Sequence, residues 1–473
     1  MTLTKTIARN TLWQIIGKII GTALGVIMIA VLTRYLGQEG FGKYATALAF
    51  MQFFAVLIDM GLYLVCLREI SAHPEKEAHI VSNIFTIRFF SAIVFLGGGA
   101  LLIFAFPYSS DIKWSAVIVS VAFLFMSLVQ ILTTVFQKHL KMGQVALAEV
   151  VNRLGLLLAV VLFVIFKGNL PALMLSNVFG GFLYFIILWF LIKKFIKVKW
   201  GFDYNYWKVV FHKAWPIGLG VALNLVYFRA DTIILSLYQP AAHVGIYSAP
   251  YRILEIITTF PHMFMGLVTP ILTVTWLAGN KEKFQSIMQK TFDFFIILIV
   301  PMILGTLPLA REVMVLISGN EFLISGEILP ILMLATGIIF LGTLFTYTLV
   351  ILEKQKTMLK YFLTAAIFAL IGYFIFIPRY TYFGAAWVTV IVELFIAICA
   401  MILTYKFSKV KLSLITLFKS IFAGLVMTAV LLILPDWHIL ILILLAILTY
   451  SLVMILIKGV DRNLLNEITK PKS

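Results

Sequence analysis

The most regular feature of this chain is a succession of long apolar runs separated by short polar stretches. A transmembrane helix needs roughly 20 consecutive apolar residues, and most of these runs have about that length. The pattern therefore predicts an all-α integral membrane protein with about fourteen transmembrane helices. The predicted spans lie at 12–32, 44–65, 84–106, 115–136, 145–166, 171–192, 214–237, 246–275, 291–310, 327–350, 359–377, 384–404, 414–434 and 439–457.

Composition supports the same class and excludes several others. Of the 473 residues, 62% are hydrophobic and 12% are charged, whereas soluble domains carry about 25% charged residues. A soluble enzyme, a disordered chain and a disulfide scaffold are therefore excluded. Cys66 and Cys399 lie in apolar runs and indicate neither a disulfide nor a metal site. The sequence has no phosphate-binding loop, no HExxH motif and no large polar loop. We therefore expect no enzymatic activity, no cofactor, and transport that is driven by a gradient rather than by ATP.

Lysine and arginine are distributed unevenly between the predicted loops. One alternating set of segments holds 26 of them and the opposite set only 6, and basic short loops stay in the cytoplasm. Both termini are therefore predicted to be cytoplasmic in a multi-pass protein of the cell membrane. The net charge of +17 comes mainly from these loops and does not indicate that the protein binds nucleic acid. The loop at 193–213 carries six lysines and several aromatic residues, which predicts contact with anionic membrane lipids.

An internal repeat links the two halves of the chain. An offset of 203 residues superposes Gly42 on Gly245 and Tyr44 on Tyr247, at outer turns that lie six spans apart. Because six spans restore the original orientation, the halves are predicted to be parallel repeats related by a pseudo-twofold axis. The predicted domains are a six-helix N-terminal lobe at 1–200, a six-helix C-terminal lobe at 201–405, and two extra helices with a cytoplasmic tail at 406–473.

Several predicted spans carry polar stripes, which at membrane depth generally face the protein interior or a watery cavity. In span 8, steps of three and four residues place Arg252 and Glu255 on one face. The equivalent face of span 2 carries Gln52 and Asp59. In span 1, Lys18 lies beside a strip of three glycines at positions 17, 21 and 25, which would let another helix approach closely.

Close charge pairs can also have structural explanations. Glu149 and Arg153 are four residues apart, which favours an intrahelical ion pair with a structural role. Arg252 and Glu255, three residues apart, allow a structural and a functional reading equally, because Arg252 belongs to a longer polar face.

In span 7, Arg229 and Asp231 point in nearly opposite directions on a helix, so they cannot simply pair with each other. Asn224 and Asp231 are seven residues apart and share a face.

Four segments in the first two spans of each half have a recognisable pattern: RNTLWQIIGKIIG, LTRYLGQEGFGKYA, AWPIGLGVALNLVYFRADTIIL and AAHVGIYSAPYRILEIITTFP. With them the sequence resembles the polysaccharide biosynthesis, or oligosaccharide flippase, family of the multidrug/oligosaccharidyl-lipid/polysaccharide flippase superfamily. The segment IPRYTYFGAAWVTVIVE resembles that family's turn into span 12.

The resemblance implies two six-helix lobes in a V, alternating access, and passage of a polyprenyl-diphosphate-linked oligosaccharide from the cytoplasmic to the outer leaflet. Cations in a central cavity would receive the diphosphate. The lipid-linked oligosaccharide and membrane lipids are the expected partners, with a polysaccharide polymerase and glycosyltransferases as candidate protein partners. The candidate substrate-binding residues are Lys18, Arg88, Arg229, Arg252, Glu255 and Gln52.

Two other functions remain open from the sequence. A multidrug and toxic compound extrusion transporter would exchange a cationic or amphiphilic drug for H⁺ or Na⁺. The candidate residues for ion coupling are Asp231, Asp59 and Asn224, and Glu255 is a further one in such an antiporter. A structural or scaffolding membrane protein would need no cavity, and the polar stripes argue against it.

Overall fold

The computed structural model describes residues 3–434 and 437–459, with the side chains of 3–13, 15, 216, 217 and 219–228 left out of the description. The described chain is α-helical apart from short 3₁₀ turns and connections. The helices are α1 (Leu3–Asp59), α2 (Leu62–Ala72), α3 (Glu77–Leu102), α4 (Ser110–Lys138), α5 (Met142–Ile165), α6 (Leu170–Ile192), α7 (Tyr204–Tyr238), α8 (Ala241–Leu277), α9 (Lys281–Ser318), α10 (Ser325–Ile351), α11 (Gln355–Ser408), α12 (Ile415–Ile433) and α13 (Ile439–Leu456).

Two of these elements are pairs of helices joined at a kink. In α1 the kink is at Gly37, whose φ of 62° is accessible to a residue without Cβ. In α11 it is at Thr381, with a φ of 52°. Eleven helical segments in the described chain are long and apolar enough to cross a membrane. Dividing the two kinked elements and adding α7 reproduces the fourteen predicted spans, and the predicted fold class is confirmed.

The end of the second predicted span differs from the structure. The apolar run continues to residue 65, but α1 ends at Asp59. Met60 and Gly61 both have positive φ, at 35° and 79°, and left-handed backbone cannot continue a right-handed helix. The remaining apolar residues belong to the separate helix α2. Hydrophobicity alone could not locate this break.

The chain forms two compact units, of which the first extends to Ser248 and the second begins at Ala249. In the first unit, α4 packs against α3 and α6, and α1 packs against α5. Its core includes Val81 of α3, Leu132 and Phe136 of α4, and Leu188 of α6. The division at 200/201 that the repeat suggests stays a prediction.

In the second unit, α10 packs against α9 and α11, and the two extra C-terminal helices pack on α9. Gly424 of α12 lies against Leu304, because a Cβ at this position would meet that side chain. Thr428 Oγ1 donates a hydrogen bond of 3.1 Å to the Leu304 carbonyl oxygen. These contacts fix α12 on α9. The two helices share an apolar cluster, to which α13 contributes Tyr450 and Met454.

The glycines that the repeat superposes are in mutual contact in the first unit. A Cβ on Gly42 would lie 2.7 Å from the carbonyl carbon of Ala241 and 2.8 Å from the amide nitrogen of Gly245. A Cβ on Gly245 would lie 2.9 Å from the carbonyl carbon of Gln38 and 3.1 Å from the amide nitrogen of Gly42. The offset of 203 also superposes Gln38 on Ala241. The contact is therefore reciprocal, as a local twofold axis between α1 and the start of α8 requires.

Candidate functional site

A polar cleft of about 450 Å³ opens among α1, α2, α4, α5 and α6 of the first unit. Polar groups at membrane depth are costly unless they meet one another or a watery cavity, so the cleft is a candidate binding site. Its polar lining residues are Asp59, Tyr63, Gln130, Thr133, Glu149, Asn152, Arg153 and Tyr184.

Arg88 of α3 lies behind one wall of this cleft and is only 1% exposed. Its Nη1 donates to Asp59 Oδ1, and its Nη2 donates to Gln130 Oε1. A buried guanidinium requires a counter-charge, which Asp59 supplies. Arg88 was expected as a cavity cation, but its charge is already engaged and it does not line the cleft. It joins α1, α3 and α4 and fixes the two polar side chains that do line it.

Arg153 of α5 is the guanidinium that reaches the cleft itself. It forms the expected ion pair with Glu149 at 3.2 Å, and the two side chains are 36% and 30% exposed. The glycine strip of α1 explains its position, because a Cβ on Gly21 would lie 2.9 Å from Arg153 Nε. A Cβ on Gly17 would lie 3.0 Å from the Ala146 Cβ. The predicted close approach of another helix to this strip is confirmed, and that helix is α5.

A second cavity of about 220 Å³ shares Met126, Asn152 and Arg153 with the cleft. It adds Asn177 of α6, whose Nδ2 donates to the Tyr44 hydroxyl at 3.4 Å. Because Asn152 and Arg153 line both spaces, they stand where the two cavities meet. Together the described lining residues of the two cavities present one cation, Arg153, two carboxylates, Asp59 and Glu149, and several neutral amides and hydroxyls.

Asp231 of α7 is fully buried in the first unit. Tyr247 donates its hydroxyl proton to Asp231 Oδ2 at 2.7 Å, and Thr232 Oγ1 donates to Oδ1 at 3.1 Å. Tyr247 is the repeat equivalent of Tyr44. The Tyr44 hydroxyl accepts a hydrogen bond from Asn177, which lines the second cavity. These contacts hold the carboxyl inside the helix packing. Its predicted role in ion coupling stays a prediction.

The polar stripe of α8 lies in the second unit from Arg252 onward. Arg252 Nη1 and Glu255 Oε2 form the expected ion pair at 2.8 Å, and the side chains are 27% and 24% exposed. Thr259 Oγ1 donates to the Glu255 carbonyl oxygen at 3.0 Å. One turn further along, the His262 ring lies 6.0 Å from the Tyr347 ring. The pair is therefore partly exposed within its unit, which is compatible with a ligand contact.

The other predicted site residues do not line the cleft. Lys18 and Gln52 are half-buried on α1, and Arg229 is half-buried on α7. The side chain of Asn224 lies outside the described residues. The convergence of these residues with Arg252 on one central cavity stays a prediction.

Arg153 was not among the predicted site residues, because its spacing of four from Glu149 gave it a sufficient structural explanation. The adjacent polar residue Asn152 and the glycine strip of α1 were the available signals. Neither could show that α5 is the helix against the strip, since that pairing is decided by tertiary packing. In the fold, the ion pair and the cleft lining are the same side chains.

Arg153 is the side chain of the cleft that can contact an anionic group, because the two carboxylates of the lining are paired, Asp59 with Arg88 and Glu149 with Arg153 itself. A guanidinium presents a planar fork of donors that matches phosphate oxygens. Gln130, Asn152 and Tyr184 add amide and hydroxyl groups that can exchange hydrogen bonds with sugar hydroxyls. Glu149 neutralises Arg153, so an anionic ligand would compete with Glu149 for the guanidinium.

A family model and two known proteins to which the chain is similar are named for polysaccharide biosynthesis or O-antigen transport. The family model described as polysaccharide biosynthesis protein matches residues 7–276. The chain is 24% identical over 343 residues to a putative O-antigen transporter of Shigella flexneri, covering 69% of this chain and 81% of that protein. It is 23% identical over 406 residues to the capsular polysaccharide biosynthesis protein CapF of Staphylococcus aureus, covering 84% of this chain and 99% of that protein.

Solved structures share the fold. An inward closed conformation of the lipid II flippase MurJ matches with a TM-score of 0.77 and 15% identity, covering 96% of this chain and all of that one. An inward-facing multidrug resistance MATE family transporter matches with a TM-score of 0.63 and 11% identity, covering 83% of this chain and 98% of that one. At these identities the likeness concerns the fold alone.

Proposed function

We propose, because the chain belongs to the polysaccharide biosynthesis protein family, that it is a flippase for a polyprenyl-diphosphate-linked oligosaccharide. The direction would be from the cytoplasmic to the outer leaflet, by alternating access, for cell-surface polysaccharide synthesis. The observation that carries the proposal is the cleft with Arg153 in its lining, whose polar lining residues all fall inside predicted spans and inside the segment that the family model matches. A scaffolding protein would have no use for such a cleft.

We infer that the diphosphate contacts arginines while the sugars contact neutral polar groups. Arg153 is partly exposed beside Asn152 in the cleft, and Arg252 is partly exposed in the second unit. Lys18, Gln52 and Arg229 remain candidates for contacts along the path. Arg88 would act differently, by positioning Asp59 and Gln130, because its guanidinium is already bonded to both.

Flipping can be measured with the purified chain in proteoliposomes that contain a fluorescent polyprenyl-diphosphate-linked sugar. A membrane-impermeant reductant bleaches only label in the outer leaflet of the vesicle. We expect complete bleaching with the active protein and about half without it. Arg153→Ala should remain near the protein-free level, while Arg34→Ala, outside the cleft, should retain activity.

The relation to drug exporters is tested in the same preparation. An antiporter would move ethidium against a pH or Na⁺ gradient and would need Asp231 or Asp59. Transport of ethidium without movement of the lipid-linked sugar would overturn the flippase proposal. The fold is shared with MATE transporters, but the family model favours the polysaccharide branch.

The direction of transport requires an orientation, and we propose that both termini are cytoplasmic. In a variant without Cys66 and Cys399, a cysteine at Asp203 should react with an impermeant maleimide only from the cytoplasm. A cysteine at Ser110 should react only from outside. The opposite result at either position would contradict the orientation. A polysaccharide polymerase and glycosyltransferases are the proposed protein partners, because they would consume and supply the lipid-linked substrate.

A further inference from the structure

A second, separate groove lies on the first unit at the junction of α6 with the segment that follows it. One part has a volume of about 320 Å³ and the other about 350 Å³. The two parts adjoin, because Trp189, Val198 and Lys199 line both, and we refer to them together as the groove. None of the residues that line the polar cleft lines this groove.

One part of the groove is aromatic and apolar. Its walls come from α3, α4 and α6, whose lining residues all fall inside predicted spans, and from Val198, Lys199 and Trp200 of the segment that follows α6. The Phe89 and Trp200 rings are 5.0 Å apart, and the Phe185 and Trp189 rings are 5.6 Å apart. Trp200 is 55% exposed despite its size. A cleft of this composition at the edge of a membrane protein suits a hydrocarbon chain.

The other part of the groove is basic. Lys193, Lys197 and Lys199 line it and are exposed, and no acidic side chain is among the described lining residues. Lys193 Nζ lies 4.6 Å from the centre of the Phe190 ring, so its stem runs over apolar surface. Three ammonium groups beside an aromatic groove produce an amphipathic site: apolar inside the membrane and cationic at its surface.

The segment that carries two of these lysines is held in place by side chains of α3. We refer to residues 197–203 as the strap. The amide of Lys199 donates to Ser82 Oγ at 3.0 Å, and the amide of Gly201 donates to Thr86 Oγ1 at 2.9 Å. Asn83 Oδ1 accepts from the amide of Asp203 at 2.9 Å.

Gly201 allows the strap to approach α3 closely, because a Cβ at this position would lie 2.8 Å from the Asn83 amide group. The Asp203 carboxylate is directed to His79, at 3.4 Å, and does not line the groove. The strap therefore presents its lysines from a fixed backbone, which reduces the entropy lost when a ligand binds.

We propose that this groove binds an anionic glycerophospholipid of the cytoplasmic leaflet. One acyl chain lies among the aromatic side chains, and the phosphate contacts the lysines of the groove. The charge complementarity of the lysines selects an anionic headgroup over a zwitterionic one. The proposal is independent of the flippase proposal, because the two sites share no residues.

The test uses the full-length protein, delipidated in detergent and titrated with phosphatidylglycerol or phosphatidylcholine while bound lipid is counted by native mass spectrometry. The variant K193Q/K197Q/K199Q removes the three groove charges. The matched control K406Q/K409Q/K411Q removes three lysines from a segment that does not line the groove. Each lysine near an anionic lipid surface accounts for roughly a fivefold change in affinity. The apparent Kd for phosphatidylglycerol should therefore rise up to about 100-fold in the groove variant, remain unchanged in the control, and show no such dependence for phosphatidylcholine.

A second variant tests the apolar part. Val198→Trp places a ring where the two parts of the groove meet and should also weaken phosphatidylglycerol binding, with the charges intact. The exposed lysine substitutions leave folding unchanged, which the unfolding temperature verifies. Equal losses of binding in the two lysine variants would overturn the proposal. Displacement of phosphatidylglycerol by polyprenyl phosphate at equal or lower concentration would also overturn it, since the groove would then belong to the substrate.

Discussion

The reciprocal contact between Gly42 and Gly245 leads to a quantitative prediction. In Gly42→Ala the new Cβ would overlap the carbonyl oxygen of Ala241, the nearest atom, and would lie 2.7 Å from its carbonyl carbon, whereas ordinary contact begins at 3.4 Å. The backbones of α1 and α8 must therefore separate by more than roughly 0.7 Å, which is the displacement that the carbonyl carbon alone requires. Overpacking of this kind costs about 1–3 kcal/mol. A coupling energy of that size changes the population of the formed contact by roughly 5- to 150-fold.

The twofold relation makes the prediction more specific. Gly245→Ala should have nearly the same effect as Gly42→Ala, because each methyl group meets the equivalent backbone of the other segment. The double variant should cost clearly less than the sum, since the second methyl enters a contact that the first has already opened. Independent sites would give additive losses instead.

Gly98→Ala is the matched control, because a Cβ there would have nothing within 4 Å. It should be neutral or stabilising by up to about 1 kcal/mol, the difference in helix propensity between glycine and alanine. Stability is measured by unfolding in detergent. A single cysteine at Gln38 reports the contact directly, and its maleimide labelling should accelerate in Gly245→Ala.

Two results would refute this reasoning. If Gly42→Ala unfolds like Gly98→Ala and leaves the labelling of position 38 unchanged, the two backbones are not in close contact. If only one of the two glycine variants is destabilised, the contact is not symmetric and the repeat does not extend to the packing.

Three further predictions concern charged side chains. Arg88→Ala should destabilise the protein by about 3–5 kcal/mol, because it leaves the Asp59 carboxylate without its counter-charge; Arg88→Ala with Asp59→Asn should recover most of that loss in the same unfolding assay, and no recovery would contradict the pairing. Arg153→Lys should retain partial flipping while Arg153→Ala loses it, since lysine keeps the charge without the planar fork; equal activity of the two variants would argue against phosphate recognition. Arg252→Ala combined with Glu255→Gln should fold and reach normal membrane abundance yet remain inactive in flipping, and recovered flipping would show that the pair is structural.

Much of the architecture is determined by the sequence itself. Fourteen apolar runs of spanning length, a low proportion of charged residues and lysines concentrated in alternate loops leave few alternatives to a multi-pass helical protein. The physical reason is that a backbone in hydrocarbon must satisfy its own hydrogen bonds, so an apolar run of this length has to be a helix. Pairs such as Arg252 with Glu255 were predictable for a similar reason, because the geometry within one helix is fixed by the spacing.

The tertiary structure decided which helices meet, and with them the candidate site. The glycine strip of α1 predicted a close partner, but only packing identified it as α5 and brought Arg153 to the cleft. Arg88 and Asp59 are 29 residues apart, and no spacing rule relates them. Helix association in a membrane depends on shape and on a few polar contacts, because lipid and apolar side chains are equally hydrophobic. Information of that kind is distributed over several helices, so local sequence cannot specify it.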